Sequence, residues 1–158
     1  MKKILLLLIF LGGLWMTAAA QNELLIEKMF DSKYASDPKV TLTYMSGVRN
    51  KFLTKNRLLT FATFKGPADK YGEIIEQFLM KDAENAVAKN VRFKGGKLYY
   101  GIFSFKTITK KGAQRGRYAY YLNNGVGKGE NVLLIFMEGN LLEEEVDKLV
   151  SSMRKGLK

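Results

Sequence analysis

Six consecutive apolar residues, Val132-Leu133-Leu134-Ile135-Phe136-Met137, constrain this chain more than any other stretch of it. Successive side chains of a strand point to opposite faces, so a strand of this composition leaves neither face to water and belongs near the middle of a sheet. Gly139-Asn140 turns the chain after the run, and the glycine-rich stretch from Asn123 to Gly129 turns it before.

Other segments read as partners for that strand. Val40 to Met45 alternates Val40, Leu42 and Tyr44 against Thr41, Thr43 and Met45, the mark of a half-buried strand. Leu58 to Lys65 is rich in Phe, Thr and Leu and reads as a second strand. Val91 to Lys94 and Lys97 to Thr109 flank Gly95-Gly96, a tight-hairpin or bulge signal. After a polar loop, Lys110 to Gln114, a tyrosine-rich strand runs from Gly116 to Leu122.

Three segments carry helical periodicity. Asn22 to Ser32 places Leu25, Ile26, Met29 and Phe30 on one side, and Ser36-Asp37-Pro38 ends it. The longest opens at Pro67 or Asp69, with a stripe through Tyr71, Ile74, Ile75, Phe78, Leu79, Ala83, Ala86 and Val87. The last takes Asn140 as its N-cap, with Glu143, Glu144 and Glu145 in its first turn and Arg154 and Lys155 in its last. Val48 to Arg57 reads equally as a short helix or a strand end. This order predicts an α+β fold, a mostly antiparallel sheet of about five strands with three helices packed on one face.

The first twenty residues read as an export signal. Met1-Lys2-Lys3 is a positive n-region, Ile4 to Trp15 is apolar apart from Gly12 and Gly13, and Ala18-Ala19-Ala20 is a small-residue cleavage site ahead of Gln21. The alternative, a retained membrane anchor, needs an apolar run of ~18 to 20 residues, and neither this segment nor any later one supplies it. Residues 1–20 are therefore expected to be a cleaved signal peptide and 21–158 a single α+β domain, periplasmic or secreted. Loss of Lys2 and Lys3 takes the formal charge from +11 to +9. In that compartment the excess favours an anionic envelope component (a polysaccharide, a lipid headgroup or an acidic protein) and places nucleic acid last.

The Lys2-Lys3 signal ending Ala18-Ala19-Ala20-Gln21, a short first helix closed by Val40-Thr41-Leu42-Thr43, and the unit Leu134-Ile135-Phe136-Met137-Glu138-Gly139-Asn140-Leu141 leading into an acidic helix occur together here. In these features the chain resembles small exported proteins of Bacteroidetes, a domain-of-unknown-function group with an α+β fold. The resemblance spans most of the chain after the signal and implies a periplasmic or surface-exposed protein. Many of that group carry a lipid-attachment cysteine. This chain has none, which points to a freely soluble form. The resemblance implies no activity and no site residue.

The chain contains neither cysteine nor histidine, which excludes disulfides, Ser-His and Cys-His nucleophile pairs and the usual Cys/His zinc sites. Gly125-Val126-Gly127-Lys128-Gly129 lacks the spacing of a phosphate-binding loop and leads into a strand, so it reads as a hairpin turn. Glu143 to Glu145 point in different directions around a helix and suit its dipole better than calcium. No cofactor is implied. Carboxylate chemistry stays open, and the alternative function is a hydrolase with Glu130 or Glu138 in a cleft.

Charge segregation is the strongest functional signal. Between Asp37 and Asp69 there are six basic residues and no acid; between Glu84 and Glu130 there are ten and no acid. Tyrosines and phenylalanines interleave with them. The leading expectation is a non-enzymatic binding or structural domain whose basic, tyrosine-rich sheet face meets its partner. The candidate residues are Arg49, Lys51, Arg57, Arg92, Lys94, Lys97, Tyr99, Tyr100, Lys106, Arg115, Arg117, Tyr118 and Tyr120. Against it stands the plainer reading, that aromatics favour strands and Lys and Arg keep the sheet soluble. A third reading is a structural subunit that lends an unpaired sheet edge to a partner.

Overall fold

The computed structural model describes residues 23–110, 112–126 and 130–156; the export segment lies outside them. Two 3₁₀ turns, Leu25–Phe30 and Ser32–Ser36, precede β1 (Thr41–Ser46), α1 (Lys51–Lys55), β2 (Leu58–Pro67) and α2 (Ala68–Asp82). Then follow β3 (Ala86–Lys94), β4 (Lys97–Lys110), β5 (Ala113–Asn123), β6 (Asn131–Gly139) and α3 (Glu143–Gly156). The strands form one six-stranded sheet in the order β1-β2-β6-β5-β4-β3, antiparallel throughout. The apolar run lies in β6, third in that order, with β2 and β5 beside it.

The α+β class and the antiparallel sheet are as expected, but the sheet has six strands and its helices lie on both faces. Along β6, Leu134 and Phe136 enter one core with Ile26, Met29 and the α2 residues Tyr71, Ile75 and Leu79. Ile135 and Met137 enter a second core with Leu53 of α1 and Val146 and Val150 of α3. The neighbouring strands repeat the split, with Ala62 and Phe64 against Phe61, and Ala119 and Tyr121 against Tyr118 and Tyr120. A central strand apolar on both faces needs two covers, so one helical layer cannot serve.

Local chemistry explains the other departures. Asp31 is extended between the two 3₁₀ turns, and its carboxylate accepts the Lys33 N–H, breaking the single helix expected over Asn22 to Ser32. The long helix ends at Asp82, and Ala86 and Val87, which continue its apolar stripe, start β3 instead. The undecided Val48–Arg57 segment contains α1, capped by Asn50, whose Oδ1 accepts the N–H groups of Phe52 and Leu53. Asn140 is not the cap of α3, because the helix begins only at Glu143 and the Leu142 carbonyl accepts its first bonds, from the Glu145 and Val146 N–H groups. The Leu142 N–H donates to Glu145 Oε2, half of a capping box.

Two turns depend on glycine. Gly95 and Gly96 have φ of +59° and +76°, the paired left-handed conformation of a two-residue hairpin, and close Lys94 against Lys97. Gly139 lies so close to the Arg57 carbonyl and Leu58 Cα that a Cβ there would collide with backbone. The start of β2 and the end of β6 meet at that point.

Candidate binding surface

Burial on both faces removes part of the expected aromatic platform. Tyr118 and Tyr120 lie beneath α3, and the Tyr118 hydroxyl donates to the Leu141 carbonyl at 2.9 Å. Both belong to the core, a correction to the binding role expected of them. Arg117 is buried as well, donating to the Lys106 carbonyl from Nε at 3.3 Å and from Nη2 at 3.2 Å. Arg115 is drawn to Glu138, with Nη1 3.7 Å from Oε1.

The remaining candidates separate into three places. Arg49, Lys51 and Arg57 surround α1 near the β1–β2 side of the sheet, and Arg57 pairs with Glu145 of α3 at 3.4 Å. Lys106 lies where β4 and β5 extend as a hairpin past the last β6 pair, Gly116 with Gly139. Arg92, Lys94, Lys97, Tyr99 and Tyr100 share the β3–β4 hairpin at the opposite edge of the sheet. The structure gathers only this last group, and adds Lys89 and Phe93, which the sequence reading did not single out.

That hairpin has a distinct electrostatic geometry. The Arg92 guanidinium lies over the Tyr100 ring at 5.5 Å, and Tyr100 meets Tyr120 edge to face at 5.8 Å, so the stack runs from solvent into the core. Lys94 and Lys97 are direct cross-strand partners, a like-charge pairing that weakens a hairpin instead of stabilising it. Among the described residues, Lys89, Arg92, Lys94 and Lys97 have no acid within ion-pair distance. All four are exposed, as is half of the Phe93 side chain.

A family model matches residues 13–150. The chain belongs to DUF6108, a family of unknown function. No curated protein and no solved structure matches it. The DUF6108 match takes in all six strands and most of α3, so the whole sheet, with its basic edge, belongs to the family domain.

The two acids of the alternative reading are placed very differently. Glu130 is exposed at a groove of about 670 Å³, with Asp69, Lys39 and Lys97 also in its wall. Glu138 is buried, and Lys110 Nζ reaches both of its oxygens, at 3.1 and 3.2 Å. It is the cross-strand neighbour of Arg117, and with Glu27 and Asp82 these residues form a charged cluster at one end of the sheet. Asp82 accepts the N–H groups of Leu25 and Ile26, both at 2.9 Å, which ties the first 3₁₀ turn to the end of α2. Burial pushes the Glu27 and Asp82 carboxyls above the ordinary range, and burial lowers the Arg117 guanidinium against the pull of the three acids. Glu27, Asp82 and Lys110 were not among the sequence candidates, since they come from elements distant in the chain.

Two measurements check this cluster in the DUF6108 chain. Glu138→Ala takes the cross-strand carboxylate from the buried Arg117 guanidinium and should lower stability by about 3 kcal/mol in urea denaturation. Lys110→Ala, at a side chain half exposed, should cost less than about 1 kcal/mol. The raised Glu27 carboxyl gives stability that is complete below the ordinary carboxylate range and is lost as pH rises through its raised value. Glu27→Gln should therefore remove this contribution, so that melting temperature at neutral pH relative to acid pH is higher in the variant than in the wild type.

Proposed function

We propose that this chain is an exported, non-enzymatic binding domain whose β3–β4 hairpin meets an anionic component of the cell envelope. The observation that carries the reading is the opposed Lys94–Lys97 pair with Lys89 and Arg92 beside it, four exposed cations with no acid among the described residues to pair them. An anion lying between the two lysines relieves their repulsion and gains two charge-assisted contacts. Phe93 and the Arg92-covered Tyr100 ring offer apolar and aromatic surface next to those charges, the combination suited to an acidic glycan or a lipid headgroup.

The export signal expected of residues 1–20 would bring this edge into contact with such partners. Among the described residues no helix is long and apolar enough to cross a membrane. The alternative, a hydrolase, would rest on Glu130 at its groove with Asp69, since Glu138 lines a different groove and has both oxygens engaged by Lys110.

Binding to dextran sulfate and to phosphatidylglycerol vesicles across a salt series tests the proposal. The full chain should bind at low salt and release as salt rises. Lys89→Gln/Arg92→Gln/Lys94→Gln should lose about tenfold or more in affinity for the anion it meets, with each contact giving order 1 kcal/mol. The control Arg49→Gln/Lys51→Gln/Lys55→Gln removes the same charge elsewhere and should lose far less. Equal losses in the two triple variants would reduce the effect to net charge.

A further inference from the structure

The two edges of the sheet are built differently. β3 is broken by register shifts between Ala86 and Ala88 and between Arg92 and Phe93, and carries Lys89, Arg92 and Lys94, all devices that discourage another strand from pairing. β1 has none of these. Its register against β2 is unbroken from Thr41 to Ser46, and it contains no charge and no proline.

The direction of its free backbone groups follows from one hydrogen bond. Gly47 N–H donates to the Leu59 carbonyl, continuing the register Ser46 with Thr60. Directly opposed antiparallel residues exchange both bonds or neither, alternately. The odd positions 41, 43 and 45 therefore bond β2, and the N–H and C=O groups of Leu42, Tyr44 and Ser46 point outward. Among the described residues no strand pairs with that side.

Beside this edge lies a groove of about 340 Å³ between the first 3₁₀ turn and the sheet, with Tyr44 in its wall. Tyr44 is 62% exposed. Glu138 is paired with Lys110 and Glu27 belongs to the Arg117 cluster, which leaves Glu23 and Asp31 against Lys28. In a chain of formal charge +11, this is a locally acidic pocket with an aromatic rim.

We infer that β1 accepts an extended peptide from a partner protein as a seventh strand, with a Lys or Arg side chain of that peptide seated in the groove. The edge supplies main-chain hydrogen bonds; the groove selects the side chain, since every second residue of an added strand projects to the same face. The acids attract its charge, and the Tyr44 ring offers a face for it. A second copy of this chain fits poorly, because β1 itself has no basic residue to offer and two copies of so positive a protein repel.

The probes are two labelled peptides, acetyl-Thr-Val-Thr-Lys-Thr-Val-Thr-amide and its twin with Glu for Lys, titrated with the full chain by fluorescence anisotropy. The Lys peptide should bind about tenfold or more tightly than the Glu twin. Glu23→Gln/Asp31→Asn should erase most of that preference while leaving the edge intact. Tyr44→Pro removes an outward N–H that β2 does not use, a substitution edge strands tolerate, and should abolish binding of both peptides with the thermal melt still cooperative. If Tyr44→Pro fails to fold, the charge variant decides alone. Absence of binding, equal binding of the twins, or a dimer in sedimentation that Glu23→Gln/Asp31→Asn leaves unchanged would overturn the inference.

Discussion

Everything in this fold follows from a sheet whose middle strands have no face to give to water. β6 puts Leu134 and Phe136 on one side and Ile135 and Met137 on the other, and both pairs are buried. The consequence is a three-layer arrangement, with α2 and the 3₁₀ turns on one face and α1 and α3 on the other. At ~1.5 to 3 kcal/mol for each large apolar side chain removed from water, this double burial is the main favourable term in a chain without cysteine. It also decides where recognition can occur. A sheet covered on both faces has only its edges and its ends to present.

Those edges and ends have separate characters. At one end the apolar ladder of the α2 face gives way to Glu138 beside Arg117, and the N-terminal segment closes over that charge through Asp82. Low polarity around these groups makes their pairing stringent, since a buried charge without a partner costs several kcal/mol. At the β3 edge the opposite condition holds, with exposed like charges opposed across a tight turn. β1 is a third kind of surface, uncharged and regular, with an acidic groove at its side. Positive charge gathered on one edge and withheld from the other is a division of surface that burial alone does not require.

Much of this was legible in the residues. The alternation of β1, the apolar stripe of α2 from Tyr71 to Leu79, the Gly95-Gly96 turn and the central place of β6 all follow from local periodicity and turn chemistry. The placing of the helices on one face did not follow, and the sequence already held the objection: a strand apolar on both sides requires cover on both. Ala86 and Val87 continue a helical stripe and suit a strand equally well, so only the sheet assigns them. The candidate surface suffered for the same reason. Tyr118 and Tyr120 look like platform residues in a one-sided sheet and become core in a two-sided one. Glu27, Asp82 and Lys110 meet Glu138 only through tertiary packing, so no spacing in the chain announces them.

Binding at the edges, as proposed, requires that the sheet faces be closed. Amide hydrogen exchange on the full chain, with and without dextran sulfate, tests it most directly. Closed faces give slow exchange along β5 and β6 that the polyanion leaves unchanged, with new protection confined to Lys89–Lys97. Fast exchange in β5, with protection appearing around Tyr118 and Tyr120 when the polyanion is added, would mean that the face beneath α3 is open and would contradict it.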